Sequence, residues 1–265
     1  MTALITGASS GIGLELARIF AAHEHDVVLV ARSEGKLRAL ARECEAKGVR
    51  AFVVAADLAA PDAARAVLEA VARLGVEIDV LVNNAGFGVY GRFAETPAAT
   101  ELESIQVNVV TLTDLTKRCL PAMIARRRGR ILNVASTAGF LPGPLMAVYY
   151  ATKAYVVSFS EAIANELEGT GVTVTVLCPG PTATGFQAAA HLETSRIVSL
   201  LSKATSRSVA EAGYEATMAG KVLCIPGVSN KVGALAPRLF PRAIIRKVVR
   251  AIQEPRATPA AKGAR

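Results

Sequence analysis

Tyr149 and Lys153 stand four residues apart, a spacing that puts both side chains on one face of a helix. A phenol beside an ammonium is an acid–base pair. An unperturbed tyrosine titrates at about 10. A neighbouring positive charge favours phenolate and draws that value toward the range useful to a general acid or base. Ser136, thirteen residues before the tyrosine, offers a hydroxyl that can hydrogen-bond an oxygen on which charge develops. Tyr150 competes for the role, because it is only three residues from Lys153. The residue four beyond it is the uncharged Ala154, so the spacing assigns the proton to Tyr149 and leaves Tyr150 to lining or packing.

A second cluster is the turn Thr6-Gly7-Ala8-Ser9-Ser10-Gly11-Ile12-Gly13, set between a short apolar strand and a helix-like segment. A glycine-rich turn in that place aims backbone N–H groups and a helix N-terminus at a pyrophosphate. The next strand runs into Arg32, with Ser33 beside it and Lys36 one helical turn on. Where a fold of this kind holds NAD, an acid about twenty residues past the glycines binds the ribose 2′-hydroxyl. A guanidinium there instead forms forked, charge-assisted bonds with the 2′-phosphate of NADP. Arg32 therefore points to NADP(H).

The elements that must position these groups alternate along the chain. Apolar strand-like runs at 3–6, 27–31, 51–56, 80–82, 130–135, 172–177 and 222–225 are separated by helical patterns at 11–22, 34–47, 61–74, 98–108, 109–126, 147–168, 209–219 and 241–253. Strands apolar on both faces, each followed by a helix, predict an α/β protein. Its Rossmann-type sheet is parallel, doubly wound and covered by helices on both faces. No Ser/Pro-rich linker interrupts the pattern, so residues 1–253 are expected to form one catalytic domain, with a flexible basic tail at 254–265.

The spacing TGxxxGxG, the run Asn83-Asn84-Ala85-Gly86, Ser136, Tyr149-x-x-x-Lys153 and Pro179-Gly180 follow one another at successive strand ends. In this the chain resembles the short-chain dehydrogenase/reductase family, in its compact NADP-preferring branch, from Thr6 to about Pro226. The resemblance implies hydride transfer between NADP(H) and a carbonyl or alcohol. It also implies a catalytic group of Asn108, Ser136, Tyr149 and Lys153, with Asn108 holding a water in a proton relay to the lysine. Gly7, Ser9, Ser10, Gly11, Ile12 and Gly13 would cradle the pyrophosphate, Asp57 and Leu58 border the adenine, and Asn83, Ala85 and Gly86 line the adenosine ribose. Pro179 and Thr182 would face the nicotinamide, and Tyr149 and Lys153 its ribose. Ser10 is a departure, because many NADP-dependent relatives carry a basic residue there. Homodimers or homotetramers built through the helices at 109–126 and 147–168 are also implied.

The substrate wall is expected from residues 87–93, 138–145 and a loop at about 183–201. These, with Met146 beside them, supply Phe87, Tyr90, Phe140, Leu141, Leu145 and Phe186. So apolar a wall suits a hydrophobic ketone, aldehyde or 3-oxoacyl chain. Two rival classes share these features: a dinucleotide-binding redox sensor without chemistry, and a sugar-nucleotide epimerase or dehydratase on the same fold.

Composition bounds the rest. The chain has 265 residues, 52% of them hydrophobic and 20% charged, which excludes disorder. No apolar run reaches the ~18 residues of a membrane span, and the N-terminus reads as no signal peptide. Cys44, Cys119, Cys178 and Cys224 are far apart and form no CxxC pair, as in a reduced cytoplasmic protein. His23, His25 and His191 form no metal-ligand pattern, and no metal is expected. The net charge of +8 resides in residues 221–265, where ten Lys or Arg face Glu254 alone. A nucleic-acid face spread over the domain is excluded. The segment 241–253 reads as a basic amphipathic helix. It is expected either to pack its apolar stripe on the sheet or to touch an anionic membrane surface weakly.

Overall fold

A computed structural model of the chain describes residues 1–183 and 204–254. The chain order is β1 (Thr2–Thr6), α1 (Gly11–Ala22), β2 (Asp26–Ala31), α2 (Glu34–Glu45), β3 (Ala51–Ala55), α3 (Ala63–Arg73), β4 (Val80–Asn83) and α4 (Ala98–Ile105). A π-helical stretch, Gln106–Thr111, joins α4 to α5 (Leu112–Ala125), followed by β5 (Gly129–Val134) and a 3₁₀ turn, Thr137–Phe140. Then come α6 (Ala147–Glu166), β6 (Val172–Leu177), β7 (Thr182–Ala183), β8 (Ala204–Thr205), α7 (Ser206–Met218), β9 (Leu223–Cys224), α8 (Val228–Leu239) and α9 (Arg242–Gln253).

Seven strands pair in parallel in the order β3-β2-β1-β4-β5-β6-β9, the predicted doubly wound α/β sheet. Strand residues alternate between its faces, and both faces are buried. Ala3 and Ile5 of β1 join Phe20, Leu37 and Tyr214 on one side. Leu4 joins Val67, Leu115 and Met123 on the other. Order reverses between β1 and β4, since β2 and β3 extend the sheet one way and β5, β6 and β9 the other. The crevice beyond the C-terminal ends of such neighbours is where open α/β sheets bind ligands.

Three elements differ from the periodicity. The expected helices at 98–108 and 109–126 are one continuous rod interrupted by the π-helical turns. Helix α8 was not expected, because Asn230, Gly233 and Pro237 read as loop punctuation. Nor does α9 pack on the sheet. Its Ile245 and Val249 bury against Ala138, Met146 and Tyr150, at the start of α6. Among the described residues no helix is long and apolar enough to cross a membrane, and no cluster could hold a metal ion. Phe186, most of the 183–201 loop and the 255–265 tail lie outside the described residues.

Candidate active site

The loops after β1 and β4 meet at the switch point and are sewn together by two side chains. Thr6 Oγ1 donates to the Val82 carbonyl at 3.1 Å and accepts from the Asn84 and Ala85 N–H groups at 3.0 and 3.1 Å. Asn84 Nδ2 returns bonds to the Thr6 and Gly7 carbonyls at 2.9 and 3.3 Å. There is no room for a side chain at Gly13, where a Cβ would stand 2.4 Å from the Gly7 carbonyl oxygen. This lets the first turn of α1 press against the strand end. Ser10, the N-cap of α1, makes no side-chain cap bond, and the first turn carries no acid. The N–H groups of Gly11, Ile12 and Gly13 thus begin a helix whose positive end is left for an anion. Ser9 and Gly7 border the same turn, partly open.

Arg32 and Lys36 are exposed at the end of β2, and no ion pair claims either among the described residues. Asp57 is exposed, its carboxylate accepting from the Ala59 N–H at 3.1 Å, and the adjoining Leu58 is buried. This crevice fits a dinucleotide bearing a 2′-phosphate: uncapped helix N–H groups for the pyrophosphate, a free guanidinium at the ribose end and an apolar border for the base.

Asn83 departs from its expected place. Its amide nitrogen donates to Thr116 Oγ1 at 3.0 Å and Asn133 Oδ1 at 2.9 Å, beneath the loop. The side chain sits in the sheet, where β4 and β5 pair at that register, and only its backbone borders the crevice. Ala85 and Gly86 remain at the surface of the crevice.

Two of the candidate catalytic residues, Asn108 and Lys153, meet at Gly86. A Cβ there would stand 2.8 Å from Asn108 Oδ1 and 3.4 Å from Lys153 Nζ. The glycine therefore lies against both polar ends. Asn108 is buried in the π-helical stretch, a kind of bulge frequent at functional sites. Its Oδ1 accepts from the Phe87 N–H at 3.1 Å. Its Nδ2 donates to the Phe87 carbonyl at 2.9 Å, to Thr152 Oγ1 at 3.0 Å and to Ser104 Oγ at 3.2 Å. The amide is thus a clamp between the β4 loop, α4 and α6. Sequence reasoning missed Ser104 and Thr152, which lock it, since neither belongs to a motif.

Lys153 Nζ donates to the Val134 carbonyl at 2.8 Å and lies 5.7 Å from the centre of the Tyr149 ring. Burial lowers its pKa to about 8. Burial acts on Tyr149 in the opposite sense and holds its phenol protonated well above the usual range, although a hydrogen bond with Ser136 favours phenolate. Both shifts follow from the cost of a charge in a dry site. Ser136 caps the 3₁₀ turn, accepting from the Ala138 N–H at 3.1 Å and donating to the Pro179 carbonyl at 3.3 Å. Pro179 is buried there, and Thr182 is buried two residues past Gly180, whose carbonyl its hydroxyl bonds at 2.9 Å.

Tyr150 faces elsewhere. Its hydroxyl accepts from Gln253 Nε2 at 2.7 Å, while the Tyr90 hydroxyl donates to the Gln253 carbonyl at 2.6 Å. Tyr90 of the predicted substrate wall and Tyr150 thus clasp the last residue of α9. Gln253 had no sequence signal, since its partners are far away along the chain. Leu145, on the same wall, has a φ of +69°, rare for a branched residue, and its carbonyl accepts from the Gly91 N–H at 2.9 Å.

Comparison with known proteins agrees with this geometry. The family model of the short chain dehydrogenases matches residues 1–195. The ketoacyl reductase HetN of Nostoc sp. is 35% identical over 217 residues, covering 81% of this chain and 74% of that protein. A short-chain dehydrogenase from Sphingobium yanoikuyae, solved in complex with NADPH, superposes with a TM-score of 0.80 at 31% identity, over 99% of this chain and 98% of that one. A 7beta-hydroxysteroid dehydrogenase structure gives 0.82 at 30% identity, over 94% and 96%. The chain belongs to the short-chain dehydrogenase family and is an oxidoreductase.

Proposed function

We propose that this enzyme is an NADP(H)-dependent ketoreductase for an apolar ketone, aldehyde or 3-oxoacyl group, working also in reverse on the alcohol. The observation that carries the reading is the convergence of Ser136, Tyr149, Lys153 and Asn108 beside a crevice whose ribose end carries the free Arg32. NADPH, when bound, supplies the hydride that adds to the carbonyl carbon. Tyr149 gives its phenolic proton to the carbonyl oxygen, and Ser136 donates a hydrogen bond to that oxygen as charge builds on it. The ammonium of Lys153 stabilises the phenolate left behind, and Asn108 holds α6 and the β4 loop in register around it. Gly7, Ser9, Ser10, Gly11, Ile12 and Gly13 take the pyrophosphate, Asp57 and Leu58 the adenine end, and Pro179 and Thr182 the nicotinamide side.

Support for an apolar substrate comes from Tyr90, Leu141 and Met146, which cluster with Tyr149 and Tyr150. The Nostoc relative, a ketoacyl reductase, and the steroid dehydrogenase neighbour point the same way. Residues 1–253 are read as one catalytic domain with its substrate loop at 183–201, followed by a basic tail. Assembly into a homodimer or homotetramer is proposed through α5 and α6. There Tyr155 is exposed, stacks on Phe159 with ring centres 5.6 Å apart and pairs with Thr113 across the two helices at 3.0 Å.

An NADPH-oxidation screen across bulky ketones, aldehydes and 3-oxoacyl thioesters tests the activity. Turnover is expected with the bulky or acyl ketones, and cofactor binding without turnover of any would leave a redox sensor instead. Light scattering at micromolar protein tests the assembly, a monomer being the result that sinks it.

A further inference from the structure

Helix α8 is inside out. Val228, Val232, Leu235 and Leu239 follow at spacings of four, three and four, so they form one stripe, and they are 50% to 77% exposed. Its small residues face the protein instead: Ala234 is buried, and Ala236 packs on the cluster that holds Tyr150. Helix α9 repeats the pattern in part. Ile245 and Val249 bury against the pocket cluster, while Ile244 and Val248 are about half exposed, as is Phe240 between the helices. A soluble monomer seldom leaves so much apolar surface open in one place without a use.

The charge around this surface is of one sign. Lys231, Arg242, Arg246 and Lys247 are exposed, and no carboxylate pairs with them among the described residues. From Glu215 to Glu254 the sequence has no acid, and Glu254 itself is bonded to Arg250. A second copy packed by a two-fold axis would bring these cations against one another. A lipid surface with anionic headgroups meets both features, its phosphates taking the cations and its acyl boundary the apolar stripe.

We propose that the α8–α9 face docks reversibly on an anionic lipid surface. The inference stands on exposure and charge and does not depend on the redox reading. It also places α9, which clasps Tyr90 and Tyr150 through Gln253, at a membrane from which a lipid-partitioned ketone can reach the proposed substrate side.

Co-sedimentation of the full chain with phosphatidylcholine vesicles, with and without phosphatidylglycerol, tests it. Binding is expected only with phosphatidylglycerol present, and is expected to be lost at high salt. The pair Leu235→Glu and Leu239→Glu, and separately Arg246→Gln and Lys247→Gln, should each weaken it about tenfold or more. Both variants should melt and turn over NADPH in solution like the parent, since none of the four residues touches the active site. The proposal is overturned by equal sedimentation with neutral vesicles, by no binding to either kind, or by binding that neither variant weakens. A change of oligomeric state in the apolar variant without lipid binding by the parent, or capture of the parent by a small acidic protein but not by vesicles, would overturn it too.

Discussion

Around Thr6, Asn84 and Asn108, each polar side chain is tied by two to four hydrogen bonds, most of them to backbone of another element. Helices α8 and α9 are fastened to the same domain by a few apolar contacts and the Gln253 clasp, and they leave large apolar side chains in water. The first region fixes reacting groups and cannot move without loosening the sheet. The second, which we propose borders the substrate, is held by fewer polar contacts. Chemistry and specificity are thus held by parts of different rigidity.

The sharpest way to break that comparison is at the rigid end. Tyr149→Phe removes the proton donor and should cut kcat/KM at least about a thousandfold. NADPH affinity, read by fluorescence titration, should stay within about twofold, because the hydroxyl is not needed to hold the phosphates. Tyr150→Phe should cost less than about tenfold, since that hydroxyl is spent on Gln253. A larger loss from Tyr150→Phe than from Tyr149→Phe would move the proton by one residue.

Arg32→Asp comes next. Replacing a free guanidinium by a carboxylate should lower kcat/KM with NADPH about a hundredfold and reverse the preference toward NADH. Equal efficiency with both cofactors in the parent would remove Arg32 from the site.

A smaller effect is expected from pH. Lys153 carries its charge below a pKa of about 8 and loses it above. Tyr149 keeps its proton throughout that range, because burial raises its pKa. Reductive kcat should therefore be level on the acid side and fall as pH rises through about 8. A reductive rate that climbs across the same interval would contradict the assignment of the lysine.

Least is expected from the loosely fastened end of the comparison. Gln253→Leu deletes the donor to Tyr150 and should cost about 1 kcal/mol, or about 2–4 °C in Tm for a domain of this size. KM for bulky ketones should change severalfold while kcat and small ketones are barely touched. A collapse of kcat would mean that the clasp positions Tyr149 as well.

The sequence by itself determined the order of strands and helices and the strand end on which each reactive residue sits. It could do so because a buried parallel strand reads as an apolar run, and because Tyr149 and Lys153 are neighbours through the helical repeat alone. The glycine turn and Arg32 were legible for the same reason: their role follows from the element just before and just after them. Other features were decided only in the tertiary structure. Periodicity shows that Ile244, Ile245, Val248 and Val249 share an apolar side of α9, but which two are buried depends on Met146 and Tyr150. Helix α8 forms despite its punctuation because Ala234 and Ala236 have a surface to meet. Asn83 turns into the sheet because Thr116 and Asn133 wait there with a hydroxyl and a carbonyl. Gln253 is tied to Tyr90 and Tyr150, partners 163 and 103 residues away. A residue's spacing tells which way its side chain points from its own backbone, but only the fold brings up the partner that satisfies it.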